Sequence, residues 1–466
     1  MQVAILSGVY TDNGPDVRVS YPVNMVPVPG ANGVSNGYLK PAEGLVSLGT
    51  GTGVTRGQIN WQGVLYAVQG TSLVNIAEDG TLLTLGTVAD GGPVRFTFSF
   101  DRLAVASGGK LYYWDLSTLT EVTDVDVGVV VDVVWIDGYF MVTDGEFIAV
   151  SDLTDPLSFN PLNYGSSEAS PDPVVGLLRL RNEVSALNRN TIEVFDDVGG
   201  LGFPFQRVTG AQVQKGAIGT FTSCVFVEAI AFLGSGFNEA PGIFIAANAG
   251  TQKISTFEID KLLATYSELD LSTVVMEARN DSAHQHLYIH LPDRCIVFDA
   301  AASQAFGESV WFTLTSSIVG FSAYKARYFT WCYDRWNIGD PTTTSYGYVD
   351  DTVSTHYGDN VRWEFATGML YNESAGAVIS ELELVALPGR VALGAQPQIT
   401  TSYSFDGMTW SPDVSIEAGM RGQRLQRLCW RRQGSMLSTR MQRFQGNADA
   451  HLSFLRLEAA VSPLRW

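Results

Sequence analysis

The feature that most constrains this chain is a pattern that returns about every forty residues: a short apolar strand, a polar turn, then a second apolar strand. It is clearest in Gln58–Val68 (QINWQGVLYAV), Thr97–Ala106 (TFSFDRLAVA), Asp132–Thr143 (DVVWIDGYFMVT) and Gly176–Leu187 (GLLRLRNEVSAL), and looser at Cys224–Leu233, Glu277–Leu291 and Phe321–Cys332. The turn centres, near Gln62, Asp101, Asp137, Arg181, Glu228, His284 and Lys325, lie 39, 36, 44, 47, 56 and 41 residues apart. That is the length of a four-stranded propeller blade. Most hairpins are followed by a third strand closing on Asp, as in Lys110–Asp115, Glu146–Asp152, Thr191–Asp196 and Arg294–Asp299. An Asp there bonds the backbone two residues on and starts a turn. One hairpin is marginal alone, so a repeated set implies radial packing or a barrel. The pattern predicts an all-β chain with a propeller of six or seven blades; a row of separate β-sandwiches would give similar spacing.

Three segments follow. Residues 1–56 read as an extended N-terminal arm, because Pro15, Pro22, Pro27, Pro29 and Pro41 fall there with no sustained apolar period. Residues 57–370 read as the propeller, and residues 371–466 as a C-terminal β-sandwich with strands near Glu381–Val385, Gln398–Phe405, Gln426–Arg432 and Leu452–Leu457. Asp260–Leu269 is the best helix candidate, with Leu262, Leu263 and Tyr266 on one face.

Charge and cysteine usage narrow the function class. The net charge is −19, yet residues 421–466 carry nine Arg against Asp449 and Glu458. An acidic body argues against wrapping DNA, whose affinity comes from cations on phosphates. The four cysteines (Cys224, Cys295, Cys332 and Cys429) are far apart, which predicts reduced packing residues made in a cytosol. Met1–Asp12 shows no basic, apolar leader pattern. The apolar stretch Val127–Trp135 is too short to span a bilayer.

Few residues suggest chemistry. His284, His286 and His290 would share a strand face if the strand were unbroken, and zinc accepts three imidazoles. Asp281–Ala283 looks like a turn, however, so the common face is doubtful and a surface or packing role is expected, with no metal and no cofactor. Ser404–Trp410 (SFDGMTW) is close to the Asp-box of propeller glycosidases, a turn-stabilising element there, and one residue shorter before Gly. Gly49–Gly57 (GTGTGVTRG) lacks the Lys-Ser/Thr end of a phosphate loop and precedes a strand, so it reads as a flexible join. The Arg run, Arg421, Arg424, Arg427, Arg431, Arg432, Arg440 and Arg443, is either a solvated face or a docking patch for an acidic partner, with nucleic acid third.

More specific than any of this are Tyr21–Val26 (YPVNMV), Gly37–Leu39 (GYL), Val213–Thr220 (VQKGAIGT), Val275–Glu277 (VME), Ile289–Pro292 (IHLP) and Val297–Gln304 (VFDAAASQ). In this order and spacing they resemble the packaged-DNA stabilisation proteins, or tail accessory and hub proteins, of short-tailed bacteriophages. The resemblance implies a non-enzymatic virion protein of the tail, assembled in the host cytoplasm after DNA packaging. It further implies a six-fold ring or nozzle of self-copies, docked on the adaptor below the portal. That nozzle would receive the tail needle or plug, adjoin fibres or spikes, and let DNA pass without sequence-specific binding or membrane insertion. The rival is a tail-associated propeller that binds or hydrolyses glycans, which a deep pocket with converging carboxylates and aromatic walls would favour.

Overall fold

The computed structural model describes residues 2–3, 8–10, 18–30, 34–200, 202–247, 250–281, 283–372 and 376–464, with side chains from Tyr21 onward. Seven sheets form a propeller. Blades 1 to 4 begin with the innermost strands Thr55–Trp61, Arg95–Phe98, Asp132–Ile136 and Val174–Leu180. Blades 5 to 7 begin with Ser223–Phe226, Val275–Asn280 and Arg327–Cys332, and these inner strands touch in ring order until blade 7 meets blade 1. Blade 5 carries the extra short strand Gly216–Ala217 beside Ala229–Ser235.

The local reason for the repeat is the first turn of each blade. Two residues join Trp61 to Val64, Ile136 to Tyr139, Leu180 to Glu183, Phe226 to Ala229 and Cys332 to Arg335. Such loops match strand twist when φ is positive, and Gln62, Asp137, Arg181, Val227, Glu228, Tyr333 and Asp334 all have positive φ. Middle strands are covered on both faces by neighbouring blades, so Leu103–Ser107, Ala229–Ser235 and Cys295–Asp299 are buried throughout. The outer strand Leu82–Thr87 has no fully buried residue, because one edge meets solvent.

In blade 7 the turn lies at Tyr333–Asp334, not near Lys325, which precedes the inner strand. The outermost strand of that blade is Gly44–Thr50, paired antiparallel with Ser345–Asp350. A strand from before blade 1 thus closes the ring. A Cβ on Gly347 would lie 1.9 Å from the Val46 carbonyl oxygen, so this approach requires glycine. Gly49–Gly57 is accordingly an ordered link between blades 7 and 1, with Thr52 Oγ1 donating to the Gln69 carbonyl at 3.1 Å.

The described residues of the arm are therefore built into the two domains. Met25–Pro29 and Gly37–Pro41 form a hairpin in a C-terminal sheet ordered Met25–Pro29, Gly37–Pro41, Ser453–Pro463, Ala377–Leu387, Leu428–Arg431. Gln2–Val3 and Ser435–Met436 add to it. Prolines hid the hairpin from sequence because Met25–Pro29 is an edge strand, where a missing N–H is tolerated. The facing sheet holds Trp363–Ala366, Thr439–Gly446, Gln398–Ser404 and Val414–Glu417, with Leu370–Tyr371 beside it, so the sandwich begins before residue 371. Met25, Leu39, Trp363, Phe365, Trp430, Phe444 and Phe454 fill the space between the sheets.

Helix α1 spans Phe257–Leu263 and α2 spans Glu268–Ser272, so the expected helix starts a turn earlier and breaks before Ser267. Ser267 and Asp270 form a capping box that starts α2 afresh. Helix α3, Ala300–Phe306, is capped by Asp299 and ends at Gly307 with φ 74°. No helix among the described residues is long and apolar enough to cross a membrane.

Residues 22–24 weld propeller to sandwich. Thr313 N–H donates to Pro22 O and Asn24 N–H to Thr313 O, both at 2.8 Å, while Val23 exchanges backbone bonds with Glu364. The buried Asn24 amide donates to the Thr315 and Arg362 carbonyls at 2.9 and 2.7 Å and accepts from Thr315 N–H at 3.0 Å. Its φ of 49° suits Asn. Replacing Asn24 by Ala removes three bonds and leaves buried groups unpaired, so thermal unfolding should show a loss of about 2–4 kcal/mol.

The closing strand is held on its other side by residues 355–357: Leu45 N–H donates to Thr355 O and Tyr357 N–H to Leu45 O. Between them His356 is buried, with Nδ1 2.8 Å from Ser316 Oγ. Burial, helped by Lys325 and opposed by Asp359, pushes its pKa down to about 3. The unfolded chain takes up this proton below the ordinary value of 6.5. Stability from keeping His356 neutral is therefore present above that pH and is lost as pH falls toward 3. Denaturant unfolding between pH 6.5 and 4 should show this decline, and His356→Asn should flatten its slope by about 1.4 kcal/mol per pH unit.

Candidate functional site

The inner strands of blades 2 to 5 meet at the propeller axis. Asp132, fully buried, accepts from Arg95 Nε at 2.8 Å, from Leu177 N–H at 2.9 Å and from Val133 N–H at 2.9 Å. Burial alone pushes its carboxyl up, against the pull of Arg95 and these amides. Arg95 also donates to the Thr220 carbonyl at 2.8 Å, so one guanidinium of blade 2 reaches blade 5. A 360 Å³ cavity above it is lined by Ile59, Phe96, Phe98, Phe100, Trp135 and Arg179 among others, with no carboxylate.

The histidines follow from the Gln285–His290 strand of blade 6. His286 and His290 share a face by even spacing, and His284, in the preceding turn, stacks on His286 with ring centroids 5.0 Å apart. All three are buried. His290 Nε2 lies 2.6 Å from Glu277. Glu277 also accepts from Tyr328 and Phe329 N–H of blade 7, which seals the seam between the two blades. His284 Nδ1 lies 2.5 Å from Asp299 Oδ2, and His286 Nε2 is 3.4 Å from the same oxygen.

Asp299, which the sequence marks only as a strand ending, is the residue that joins the two histidines. Its other oxygen accepts from Gln285 and Ala302 N–H, the second being the cap of α3. Burial works to raise its carboxyl, yet hydrogen bonds from His284 and His286 outweigh that and hold it well below the carboxylate range. Burial lowers the pKa of His286 and of His290, with the carboxylates opposing. The donor atoms of His284, His286 and Asp299 lie within 4.8 Å of one another, close enough to hold a metal ion; His290 stands apart on Glu277.

The Asp-box segment is a turn, as its residue types suggest. Asp406 accepts from Thr409 and Met408 N–H, each at 2.8 Å, and from Ser404 Oγ at 2.9 Å. Those bonds, the Thr409 amide foremost, bring the Asp406 carboxyl down to about 2. Trp410 lies under the Arg443 guanidinium at 4.3 Å.

Strand pairing scatters the Arg run. Arg427 bonds Glu383 at 2.7 Å, and Arg431 approaches Glu381 at 3.5 Å, both pairs lying on one sheet face. Arg440 is fully buried, donating to the Gln433 carbonyl and Gln442 and stacking 3.9 Å from Tyr403. Arg443 donates to Ser402. Arg432 is exposed, with φ 56°. Arg421 and Arg424 sit on an exposed loop that, with Arg390, His451, Asp351 and Asp449, lines a 690 Å³ cleft where the propeller meets the sandwich. The seven arginines therefore do not form one patch. Arg390 and His451 escaped the sequence reading because only folding brings them to residues 421–424.

A carboxylate pair beside aromatic walls occurs on the rim of blade 3, where Asp126, Asp144, Phe147 and Tyr164 line a 230 Å³ pocket. Asp144 is already the acceptor for Glu146 and Phe147 N–H in its own turn, at 2.9 and 2.7 Å.

Residues 1–354 match the family described as Bacteriophage P22 Gp10, beta-propeller, and residues 362–462 match Bacteriophage P22 Gp10, beta-sandwich. The chain is 26% identical over 435 residues to the tail hub protein gp10 of Salmonella phage P22, covering 89% of each. Among solved structures, the N-terminal domain of Nup159 has a TM-score of 0.42 at 10% identity, covering 69% of this chain and 97% of that one. The Neurospora crassa Pan2 WD40 domain also scores 0.42, at 11% identity, covering 64% and 89%. Both stretches of the chain, the seven blades and the sandwich welded to them, thus have their counterparts in one lineage, and the chain belongs to the Bacteriophage P22 Gp10 family.

Proposed function

We propose that this chain is a structural subunit of a phage tail hub that stabilises packaged DNA and forms part of the ejection channel. The observation that carries this reading is the collinear match to a tail hub protein through both domains, at 89% of each chain. The segments that carry the sequence resemblance have physical reasons to be there: Asn24 in YPVNMV welds the domains, Glu277 in VME and His290 in IHLP seal blades 6 and 7, and Asp299 in VFDAAASQ caps α3. All of these are tasks of a scaffold, and we read the chain as one rather than as an enzyme.

In this reading the partners are further copies in a ring, an adaptor below the portal, a needle or plug, and neighbouring fibres or spikes. DNA would pass close by without being gripped, because a chain of net charge −19 repels phosphate over a Debye length of about 8 Å. Particles assembled without this chain should fill with DNA and then lose it. Nuclease sensitivity of the encapsidated genome, with and without the chain supplied in trans, measures this. Stable, infectious particles lacking the chain would refute the reading.

A further inference from the structure

The propeller carries its charge unevenly, and the two poles face opposite ways. Residues 115–197, which run from the end of blade 2 into blade 4, hold sixteen Asp and Glu against three Arg and no Lys. Asp126, Asp144 and Asp155 are exposed there and have no cation partner among the described residues. Beside Asp126 and Asp144 stand Val125, Val129, Leu162 and Tyr164, from 51 to 90% exposed, whereas Leu153 and Asp155 lie at the other end of the blade, by Gly138. Apolar side chains gathered on an acidic rim mark a surface that expects cover. The 230 Å³ pocket opens in it, with Asp126 and Asp144 at the mouth and the rings of Phe147 and Tyr164 meeting edge to face, 5.2 Å apart. Carboxylates beside aromatic rings form a receptacle for a guanidinium, which pairs with the one and stacks on the other.

The opposite pole is the junction cleft. Arg390, Arg421 and Arg424 line it without an ion-pair partner among the described residues, and Asp449 is occupied by Ser354, whose N–H and Oγ it accepts at 3.0 and 2.9 Å. The loop bearing Arg421 and Arg424 also presents Leu425, 96% exposed, and Met420, 43% exposed. The cleft adjoins blade 7 through Asp351 and Thr352, which follow Ser345–Asp350 directly. In a closed ring of seven blades, 3 and 4 are the ones farthest from blade 7.

Resting on the tail-hub reading, we propose that the Arg421–Arg424 loop of one copy docks on the blade 3 rim of the next, an arginine entering the Asp126–Asp144–Tyr164 pocket and Leu425 covering the rim's exposed aliphatics. The occupant is a second copy of this chain and not nucleic acid, because the receiving surface is acidic. Two different patches on opposite sides give a heterologous, head-to-tail contact, the type that generates rings when its rotation closes. Ordinary interfaces combine an apolar centre with a polar rim in this way.

The test uses assembled particles. With a photo-crosslinking residue in place of Leu425, irradiation should give a ladder of multimers of this chain, and digestion should recover peptides containing residues 125–164. Arg421→Glu with Arg424→Glu should lower incorporation into particles about tenfold, and Asp126→Arg with Asp144→Arg in the same chain should restore it. Circular dichroism and melting temperature of the purified variants confirm that they fold. Cross-links from position 425 to another tail protein, or to nothing, would overturn the docking while leaving the tail-hub reading intact, since the wild-type chain would still be incorporated and still retain DNA. Failure of the wild-type chain to enter particles would instead sink the tail-hub reading.

Discussion

Everything in this molecule depends on the closure of the propeller by Gly44–Thr50. Seven blades built only from residues 55–350 would leave the last sheet one strand short, with the edge of Ser345–Asp350 bare and the ring held shut by side chains alone. Supplying that strand from ahead of blade 1 commits the chain's two ends to one place. Residues 21–30 and 34–43 must then emerge beside blade 7, near where the chain leaves it, and there they enter the sheet that Ala377–Leu387 and Ser453–Pro463 complete. The sandwich is thus anchored to the same seam that locks the ring. Asn24 and His356 lie within that seam and tie the stability of one domain to that of the other.

How much of this could be read from the sequence depends on the range of the interaction that fixes each element. The blade turns were legible because their chemistry is local: Gln62–Gly63 and Asp137–Gly138 supply the positive φ that two-residue hairpins need. Blade 7 was misplaced by some eight residues because Tyr333–Asp334 makes the same turn without glycine, with the Tyr333 hydroxyl donating to the Ile76 carbonyl at 2.9 Å. Helix α3 was legible in principle, with Asp299 at its start and Gly307 at its end, and was passed over as a strand ending. Met25–Pro29 could not be found, since only its place at a sheet edge makes two prolines acceptable.

The candidate sites divide along the same line. Even spacing correctly placed His286 and His290 on one face, and the Asp-box residues formed the turn their types imply. The Arg run misled, because spacing along the chain says nothing about which strands pair. Arg440 ends in the core, Arg427 and Arg431 meet Glu383 and Glu381 from another strand, and the free cations at 421 and 424 acquire Arg390 as a companion from thirty residues earlier. The acidic block at residues 115–197 is visible in a charge profile, but its placement opposite the cleft requires the number and order of the blades.

The contact from Arg95 to the Thr220 carbonyl carries one more consequence. It joins blades 2 and 5 across the middle of the ring, beneath the cavity that Phe96, Phe98, Phe100 and Trp135 line. The seven-fold axis of this propeller is therefore no conduit for a double helix. Under the proposed tail-hub reading, a bore wide enough for a genome would lie outside the subunit, walled by the flanks of several copies. Its diameter would then be set by how many subunits come together and at what tilt, so that a change in subunit packing would resize the passage without altering a single blade.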